Sequence, residues 1–518
     1  MRCKINHTAS NKYPAYISII LSGVYNVFTT NEIKIQSSGT AAVFLVLQKP
    51  KMSCMKNKLL LGIITVVLKM HCFGQLRLPA VLSSNMVLQQ NDSVLLWGWG
   101  NPAEKVFITT SWDNRTDSVL TGNGAKWSIK VKTPAAGGPY TITFKQREKI
   151  VLDNIMSGEV WFCSGQSNMD WNFYAGVNDM QAEIDLGTQP NLRFFYITKN
   201  TANYPQEDTR GQWAVCDSNN LKPFSAVAYF FAKRLQEELN VPVGLIQSSW
   251  GGTPAEVWTP AEKINSNSIL KSSYEKLDSF MWWPKTPGAA YNAMVAPVIN
   301  FSIAGAIWYQ GEGNTASPSG YSSLLTTMID AWRAAWKKNL PFYFVQIAPF
   351  TYGKGYAAAI IREQQAIASK HDNTGMVVIS DLVEDSTNQH PKNKKDVGLR
   401  LANEALALTY HKDSIVVQYP VFDKVQFAGD KAVIGFLYMG GEILTAGTAV
   451  NALEIAGDDR IFYPAEAKIE KDILTVWSKM VKEPVAVRYS FSNAGIGNLF
   501  SKFGLPVVPF RTDDWPLQ

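Results

Sequence analysis

Residues 159–169 read EVWFCSGQSNM, an apolar run that stops at Gly165 and opens into the polar pentapeptide Gly165-Gln166-Ser167-Asn168-Met169. The segment Glu159–Cys163 reads as a buried strand, because a sheet covered on both faces selects short, continuous apolar runs. In an open parallel sheet, ligands bind in the crevice outside the carboxyl ends of the strands. A serine just past such an end exposes its hydroxyl and presents its own backbone N–H. An acyl-transfer nucleophile requires both. The pentapeptide is not a G-x-S-x-G elbow, since Met169 stands where the second glycine would fall.

Outward from this stretch, residues 158–412 alternate strands with helices. Val243–Gln247, Ile303–Tyr309, Phe342–Ile347 and Met376–Ser380 read as strands. Lys222–Asn240, Leu324–Trp336, Tyr356–Ser369 and Lys394–Leu408 carry apolar residues at helical spacing. Such alternation predicts an α/β domain, a parallel sheet flanked by helices. Before it, residues 76–157 hold short alternating runs (Val94–Trp97, Lys105–Thr110, Trp127–Val131, Tyr140–Phe144) separated by Gly/Pro turns, which predicts a small all-β sandwich. After it, Ser414–Tyr419, Ala432–Tyr438, Ile473–Trp477 and Val485–Tyr489 predict a second β-sandwich over 413–518.

The chain has 518 residues, 46% hydrophobic and 18% charged, which is globular and excludes a disordered or fibrous protein. The formal charge of +6 is misleading. Residues 1–74 carry nine Lys/Arg and one acid, leaving 40 basic and 42 acidic residues beyond them, so nothing argues for nucleic acid. Residues 55–74, MKNKLLLGIITVVLKMHCFG, read as a signal peptide: Lys56 and Lys58, then a ten-residue run from Leu59 to Leu68 that is too short to span a bilayer. Met55 is a more natural start than Met1, and residues 1–54 are expected to be a non-native upstream extension. Export to the periplasm or medium follows, with no membrane span in the mature chain. Beyond the leader only Cys163 and Cys216 remain; an oxidising compartment would permit a bridge, but a buried free thiol is the commoner state of a cysteine in an apolar strand.

A serine nucleophile needs a base, usually histidine. The mature chain has only His371, His390 and His411. The first and last follow helices, as solvated histidines do. His390 lies in a loop after the Met376–Ser380 strand, at a strand's carboxyl end, and is favoured as the base. Oxyanion donors are offered by two further strand-end loops. One is Ser248-Ser249-Trp250-Gly251-Gly252-Thr253, where glycine lets a backbone N–H approach a substrate. The other is Gln310-Gly311-Glu312-Gly313-Asn314, where Gln310 and Asn314 can donate and an ionised Glu312 cannot. No His/Cys cluster has metal-ligand spacing and no loop is built to cradle phosphate, so no metal and no cofactor are expected.

These four blocks, in this order, resemble the SGNH hydrolase superfamily and, more narrowly, the sialate O-acetylesterase family of secreted carbohydrate esterases. The resemblance covers nearly all of residues 76–518. It is carried by Asn85-Met86-Val87-Leu88-Gln89, by the Ser167 block, by Trp250-Gly251-Gly252-Thr253-Pro254-Ala255-Glu256 and by Tyr291-Asn292-Ala293-Met294. Trp308-Tyr309-Gln310-Gly311-Glu312 and His390-Pro391-Lys392-Asn393-Lys394, running on to Gly398-Leu399-Arg400-Leu401-Ala402, are the most telling. It implies a flavodoxin-like three-layer core, with Ser167 as nucleophile and His390 as base. The Ser167 N–H, a Gly251 or Gly252 N–H and an amide of the Gln310–Asn314 block would form the oxyanion hole. One departure stands out: the family's aspartate before the histidine is replaced by Thr387 and Asn388. A Ser–His dyad is therefore expected, with Asp385 the favoured carboxylate if one completes a triad and Glu384 or Asp381 as alternatives.

The expected substrate is an O-acetylated carbohydrate, by family an acetylated sialic acid, cleaved through an acetyl-enzyme. Acetylated xylan or pectin, or glycan binding on a catalytically weak scaffold, are the alternatives. Arg362 or Arg400 could hold a sialate carboxylate, and Trp161, Trp171 and Trp250 could stack on sugar rings beside Glu312. The oligomeric state is not legible in the sequence.

Overall fold

A computed structural model describes residues 75–353 and 355–517 of the chain. The expected upstream extension (1–54) and signal peptide (55–74) lie outside the described residues. The N-terminal part lays down β1 (Val87–Gln89), β2 (Ser93–Trp99), β3 (Lys105–Thr110), β4 (Thr116–Leu120), β5 (Lys126–Lys132) and β6 (Gly137–Lys145). β7 then runs for 17 residues, Lys149–Gly165. Its sequence changes character along its length. Up to Asn154 covered and exposed positions are mixed, as on a sheet wetted on one face; from Ile155 to Gly165 every residue is buried.

Accordingly the first half of β7 pairs antiparallel with β6, and the second half enters a parallel sheet. That sheet adds β8 (Gln189–Tyr196), β9 (Trp213–Cys216), β10 (Val243–Ser249), β11 (Gly305–Tyr309), β12 (Phe342–Val345) and β13 (Thr374–Val377). The order is β13-β12-β11-β7-β10-β8-β9, parallel throughout except for β9 on β8. Helices Ala226–Leu239, Tyr321–Trp336 and Ala357–Ala368 connect the strands, Lys395–Glu404 follows β13, and all four bury their apolar faces. After β10 the chain crosses from one flank of β7 to the other, so the carboxyl end of β7 is the switch point at which open α/β sheets bind ligands.

All five expected core strands have counterparts, but β13 runs Thr374–Val377 where Met376–Ser380 is expected, and Ser380 opens a 3-10 turn. The β8–β9 pair lies outside the expected strands; β8 opens on the polar Gln189-Pro190-Asn191 before its apolar half. The boundary expected at 157/158 falls within β7. One buried cluster joins Val94, Leu96, Ile142 and Phe144 of the N-terminal strands to Val160, Ile246 and Ile307 of the parallel sheet. The N-terminal strands form one sheet continuous with β7, plus a separate β2–β5 pair.

Beyond residue 413, Ser414–Tyr419 is not the expected strand. It is an irregular connection whose Val417 and Tyr419 side chains are buried. Two four-stranded sheets follow. Val421–Ala428, Lys431–Leu437, Ile473–Trp477 and Glu466–Glu470 form one; Phe462–Pro464, Leu453–Ala456, Ala486–Tyr489 and Phe510–Arg511 form the other. Both contribute to a second apolar cluster that includes Ile434, Val476, Ile455 and Val487. Cys163 and Cys216 are free and buried. They sit on β7 and β9 with β10 and β8 between them, about 14 Å at ~4.8 Å per strand, well beyond disulfide reach.

The end of β7 is the tightest point of the sheet. Gly165 has φ 141°, and a methyl group built on it would lie 2.2 Å from the Tyr309 carbonyl oxygen. Replacing Gly165 with Ala is expected to cost on the order of 3 kcal/mol, from backbone strain and overpacking together, read as a lower denaturation midpoint. An unchanged midpoint would show that the ends of β7 and β11 can separate freely.

Candidate active site

Beyond Gly165 the chain is pinned before it turns. The Gln166 N–H donates to the Tyr309 carbonyl (3.0 Å), and its side-chain oxygen accepts from the Gly313 N–H (2.9 Å). Ser167 then opens a one-turn helix, Ser167–Asp170. Asp170 fastens the far end of that turn to β10 by accepting from Ser249 Oγ (2.9 Å) and Gln247 Nε2 (3.1 Å). Ser167 is thus held at both sides of its backbone.

His390 is brought to it from the loop after β13. Its Nε2 lies 2.8 Å from Ser167 Oγ. The Asn388 side-chain oxygen accepts from the His390 backbone N–H (2.9 Å), an Asx turn that sets the loop without touching the ring. The ring is fixed by Trp171, stacked on it with centroids 4.6 Å apart and planes 13° apart. Among the described residues, no carboxylate hydrogen-bonds the imidazole. Asp385, the favoured third member, is solvent-exposed, and its two oxygens accept from the Thr387 N–H (2.8 Å) and Thr387 Oγ1 (2.7 Å). Glu384 is exposed, and Asp381 is paired with Arg400 through both oxygens at 2.7 and 2.6 Å. His371 pairs with Asp330, and His411 sits on the surface.

Behind the pair lies a buried polar clamp. The Asn168 carboxamide donates to Glu312 Oε1 (2.5 Å) and to the Gln389 carbonyl (3.1 Å), and accepts from Lys394 Nζ (2.6 Å). Lys394 also lies over the Trp171 and Tyr309 rings, 5.5 and 5.3 Å from their centroids. One residue next to Ser167 therefore ties together the loops that follow β7, β11 and β13. Burial pushes the Glu312 carboxyl above its ordinary range and lowers Lys394 to about 7. Burial, and then the Lys394 charge, lowers His390 to about 4. Asn168 and Lys394 were not singled out from sequence. The available signal was their position, inside the same short blocks as Ser167 and His390.

The expected oxyanion residues divide. Gly251 packs against Ser167: a methyl group built on it would lie 3.3 Å from Ser167 Cβ. Among the described residues, neither the Ser167 nor the Gly251 backbone N–H has an acceptor. Gln310 and Asn314 are otherwise engaged. Gln310 Nε2 donates to Asn314 Oδ1 (2.8 Å) and the Thr253 carbonyl (3.2 Å), while Asn314 Nδ2 donates to Glu256 Oε2 (2.8 Å). Their amides lock the two loops to each other rather than facing Ser167.

The expected substrate residues also divide. Arg362 is buried and points away, towards the backbone carbonyls of Ser490, Ser492 and Asn493. Trp161 is fully buried and donates to Tyr410. Trp250 is half-buried in the loop that carries Gly251, and Glu312 belongs to the clamp. No group of three or more His, Cys, Asp or Glu among the described residues could hold a metal. A hydroxyl bonded to a neutral imidazole, beside unengaged backbone N–H groups at a strand-end crevice, is suited to acyl transfer.

Comparison with known proteins shows the family. Residues 157–407 match the family model described as "Carbohydrate esterase, sialic acid-specific acetylesterase". The sialate O-acetylesterases of Homo sapiens and Pongo abelii are each 27% identical over 400 residues, covering 70% of this chain and 76% of theirs. A crystal structure of a carbohydrate acetylesterase from Xanthomonas citri is 34% identical, covers 85% of this chain and 100% of its own, and superposes with a TM-score of 0.78. The chain therefore belongs to the sialate O-acetylesterase family of carbohydrate esterases and is a carboxylic ester hydrolase.

Proposed function

We propose that the protein is a serine O-acetylesterase that removes acetyl esters from sialic acids by a Ser167–His390 dyad. The observation that carries this reading is the 2.8 Å contact between Ser167 Oγ and His390 Nε2 at the switch point of the sheet. Ser167 Oγ attacks the acetyl carbonyl as Nε2 takes its proton. The developing oxyanion is received by the Ser167 and Gly251 N–H groups. His390 returns the proton to the departing sugar oxygen, then activates the water that releases acetate. Trp171, rather than a carboxylate, orients the imidazole. The leader read at residues 55–74 supports action outside the cytoplasm.

A second reading, an acetylesterase on neutral polysaccharide such as xylan, has one observation in its favour. Both arginines expected to meet a sialate carboxylate are engaged, Arg362 with backbone carbonyls and Arg400 with Asp381.

Acetate release from O-acetylated sialoglycoprotein and from acetylated xylan, measured side by side, tests both readings. Release from the first should predominate, and Ser167→Ala should abolish it; release that survives this substitution would remove Ser167 from the mechanism. Asp385→Asn should leave kcat/KM within about twofold, against the ~10⁴-fold loss that follows removal of a true triad aspartate. A loss of that larger size would restore a Ser–His–Asp triad.

The pH profile carries a signed expectation. His390 accepts a proton only when neutral, and its pKa is lowered to about 4. With p-nitrophenyl acetate, kcat/KM should therefore stay level as pH falls through 6.5, the ordinary histidine value, and decline only near 4. Lys394→Met removes a positive charge that disfavours imidazolium, so the acid limb should move to higher pH. It should remain below 6.5, because burial is the larger cause of the shift. A limb near 6.5 in the unaltered protein would contradict this account of the base.

A further inference from the structure

The loop after β10 makes a β-turn over Trp250-Gly251-Gly252-Thr253, closed by the Thr253 N–H on the Trp250 carbonyl (3.4 Å). Both ends of the turn are fastened. The Trp250 N–H donates to the Gly165 carbonyl (3.0 Å), the Thr253 hydroxyl donates to the Trp250 carbonyl (2.7 Å), and the Thr253 carbonyl accepts from Gln310 Nε2 (3.2 Å). The middle is not fastened in this way. Among the described residues, no group hydrogen-bonds to the N–H or carbonyl of Gly251 or Gly252. Gly252 has φ 80°, the value taken by the third residue of a type II turn. Turning the Gly251–Gly252 peptide over gives a type I turn, with φ of about −90° at that residue. Two glycines offer no steric resistance to either form.

What selects one form is Trp283. Its indole fills the space beside Gly252 in which a side chain would stand, with Cδ2 and Cε3 the nearest atoms. Phe280 covers the indole from its own loop, with ring centroids 4.7 Å apart and planes 34° apart. Lys285 holds the base of that loop by donating to the Leu277 carbonyl, and Leu277 is itself buried. Neither Phe280 nor Trp283 belongs to or packs on the two apolar cores, and Phe280 is 51% exposed. The stack of rings therefore ends on the glycine pair, and Gly251 packs in turn on Ser167.

We propose that Trp283 is a positioning residue for the oxyanion site: backed by Phe280, it holds the Gly251–Gly252 peptide in one orientation and so fixes the Gly251 backbone against Ser167. Turning that peptide over exchanges the sides on which its carbonyl and its N–H lie, which reverses a dipole next to the Gly251 donor. An oxyanion gains most from donors and dipoles that are fixed before its charge develops. A misplacement of about 1 Å can cost about 10²-fold in rate. In this account Trp283 touches neither the sugar nor the acetyl group. The proposal deepens the acetylesterase reading and rests on its assignment of the Gly251 N–H as a donor.

Acylation and deacylation both pass through an oxyanion, so the effect should appear in kcat. With p-nitrophenyl acetate, Trp283→Ala should lower kcat by about tenfold or more while KM stays within about twofold. Trp283→Phe restores a ring over Gly252 and should recover most of the loss. Phe280→Ala removes the covering ring from a half-exposed position outside both cores and should lower kcat by about threefold. Active sites are counted with ethyl p-nitrophenyl methylphosphonate, which bonds its phosphorus to Ser167 Oγ and releases p-nitrophenolate. A merely structural role would reduce that count and leave kcat per site unchanged, and the rate of phosphonylation should slow in the same order as kcat. A kcat per site within about twofold in Trp283→Ala, a raised KM in place of a lowered kcat, or a phenylalanine no better than alanine would overturn the positioning role. If Trp283→Ala does not fold, Phe280→Ala decides, and an unchanged kcat there overturns the proposal. Failure of the acetylesterase reading is seen separately, as absence of acetate release from either acetylated glycan by the unaltered protein.

Discussion

The molecule depends on one strand serving two sheets. β7 enters as a partially wetted antiparallel partner of β6 and leaves as the centre of a buried parallel sheet. Its last residue, Gly165, is gripped from both sides: the Trp250 N–H donates to its carbonyl, and the Tyr309 carbonyl fills the space a side chain would need. With the ends of β10, β7 and β11 in contact, the loops after them have little freedom in where they begin. That is why Ser167, Gly251 and the Gln310–Asn314 block converge although about 150 residues separate the first from the last. The N-terminal strands are not an appendage to this arrangement, because they share both β7 and its core.

The constraint at Gly165 fixes backbone, and polar side chains then fix the gap between loops. Around Asn168, donors and acceptors from three strand ends meet where water is excluded, so each hydrogen bond is strong and each missing one would be costly. The same reasoning explains why Gln310 and Asn314 are amides. A fully buried loop contact needs groups that satisfy both a donor and an acceptor, and those amides do so between the β10 and β11 loops. What reads in sequence as donor capacity for a substrate is used by the scaffold.

This accounts for what was legible in the sequence. Strand ends were readable because apolar runs stop abruptly at Gly165, Gln247 and Tyr309. His390 was readable because residues 75–518 hold three histidines and only one of them lies at a strand's carboxyl end. Side-chain direction was not readable. Asp385 is close to His390 in sequence, but a two-residue turn onto Thr387 consumes its oxygens. Arg362 lies on the helix Ala357–Ala368 with its guanidinium turned to the C-terminal sheets, a contact between segments about 130 residues apart that no local pattern encodes. The 280–283 run gave no signal of its place because only the folded chain lays Trp283 across Gly252.

The proposed dyad implies a distribution of electrostatic work unlike that of a triad. In a triad, a carboxylate stabilises the imidazolium formed as the nucleophile attacks. Here the charged group that acts on His390 is the Lys394 ammonium, which opposes that imidazolium. A base held near 4 is a weak proton acceptor, yet it is fully neutral and available over a wide acidic range. Stabilisation of the transition state then has to come from the other end of the charge separation, at the oxyanion. A rigid strand end, an unengaged Ser167 N–H and a glycine backbone packed against the serine provide fixed dipoles there. Glu312, linked to Lys394 through Asn168, offsets part of the ammonium's field whenever its carboxyl is ionised. The clamp that positions the loops is therefore also the element that tunes the base, since the Asn168 carboxamide holds both charges at fixed distance from the Ser167–His390 pair.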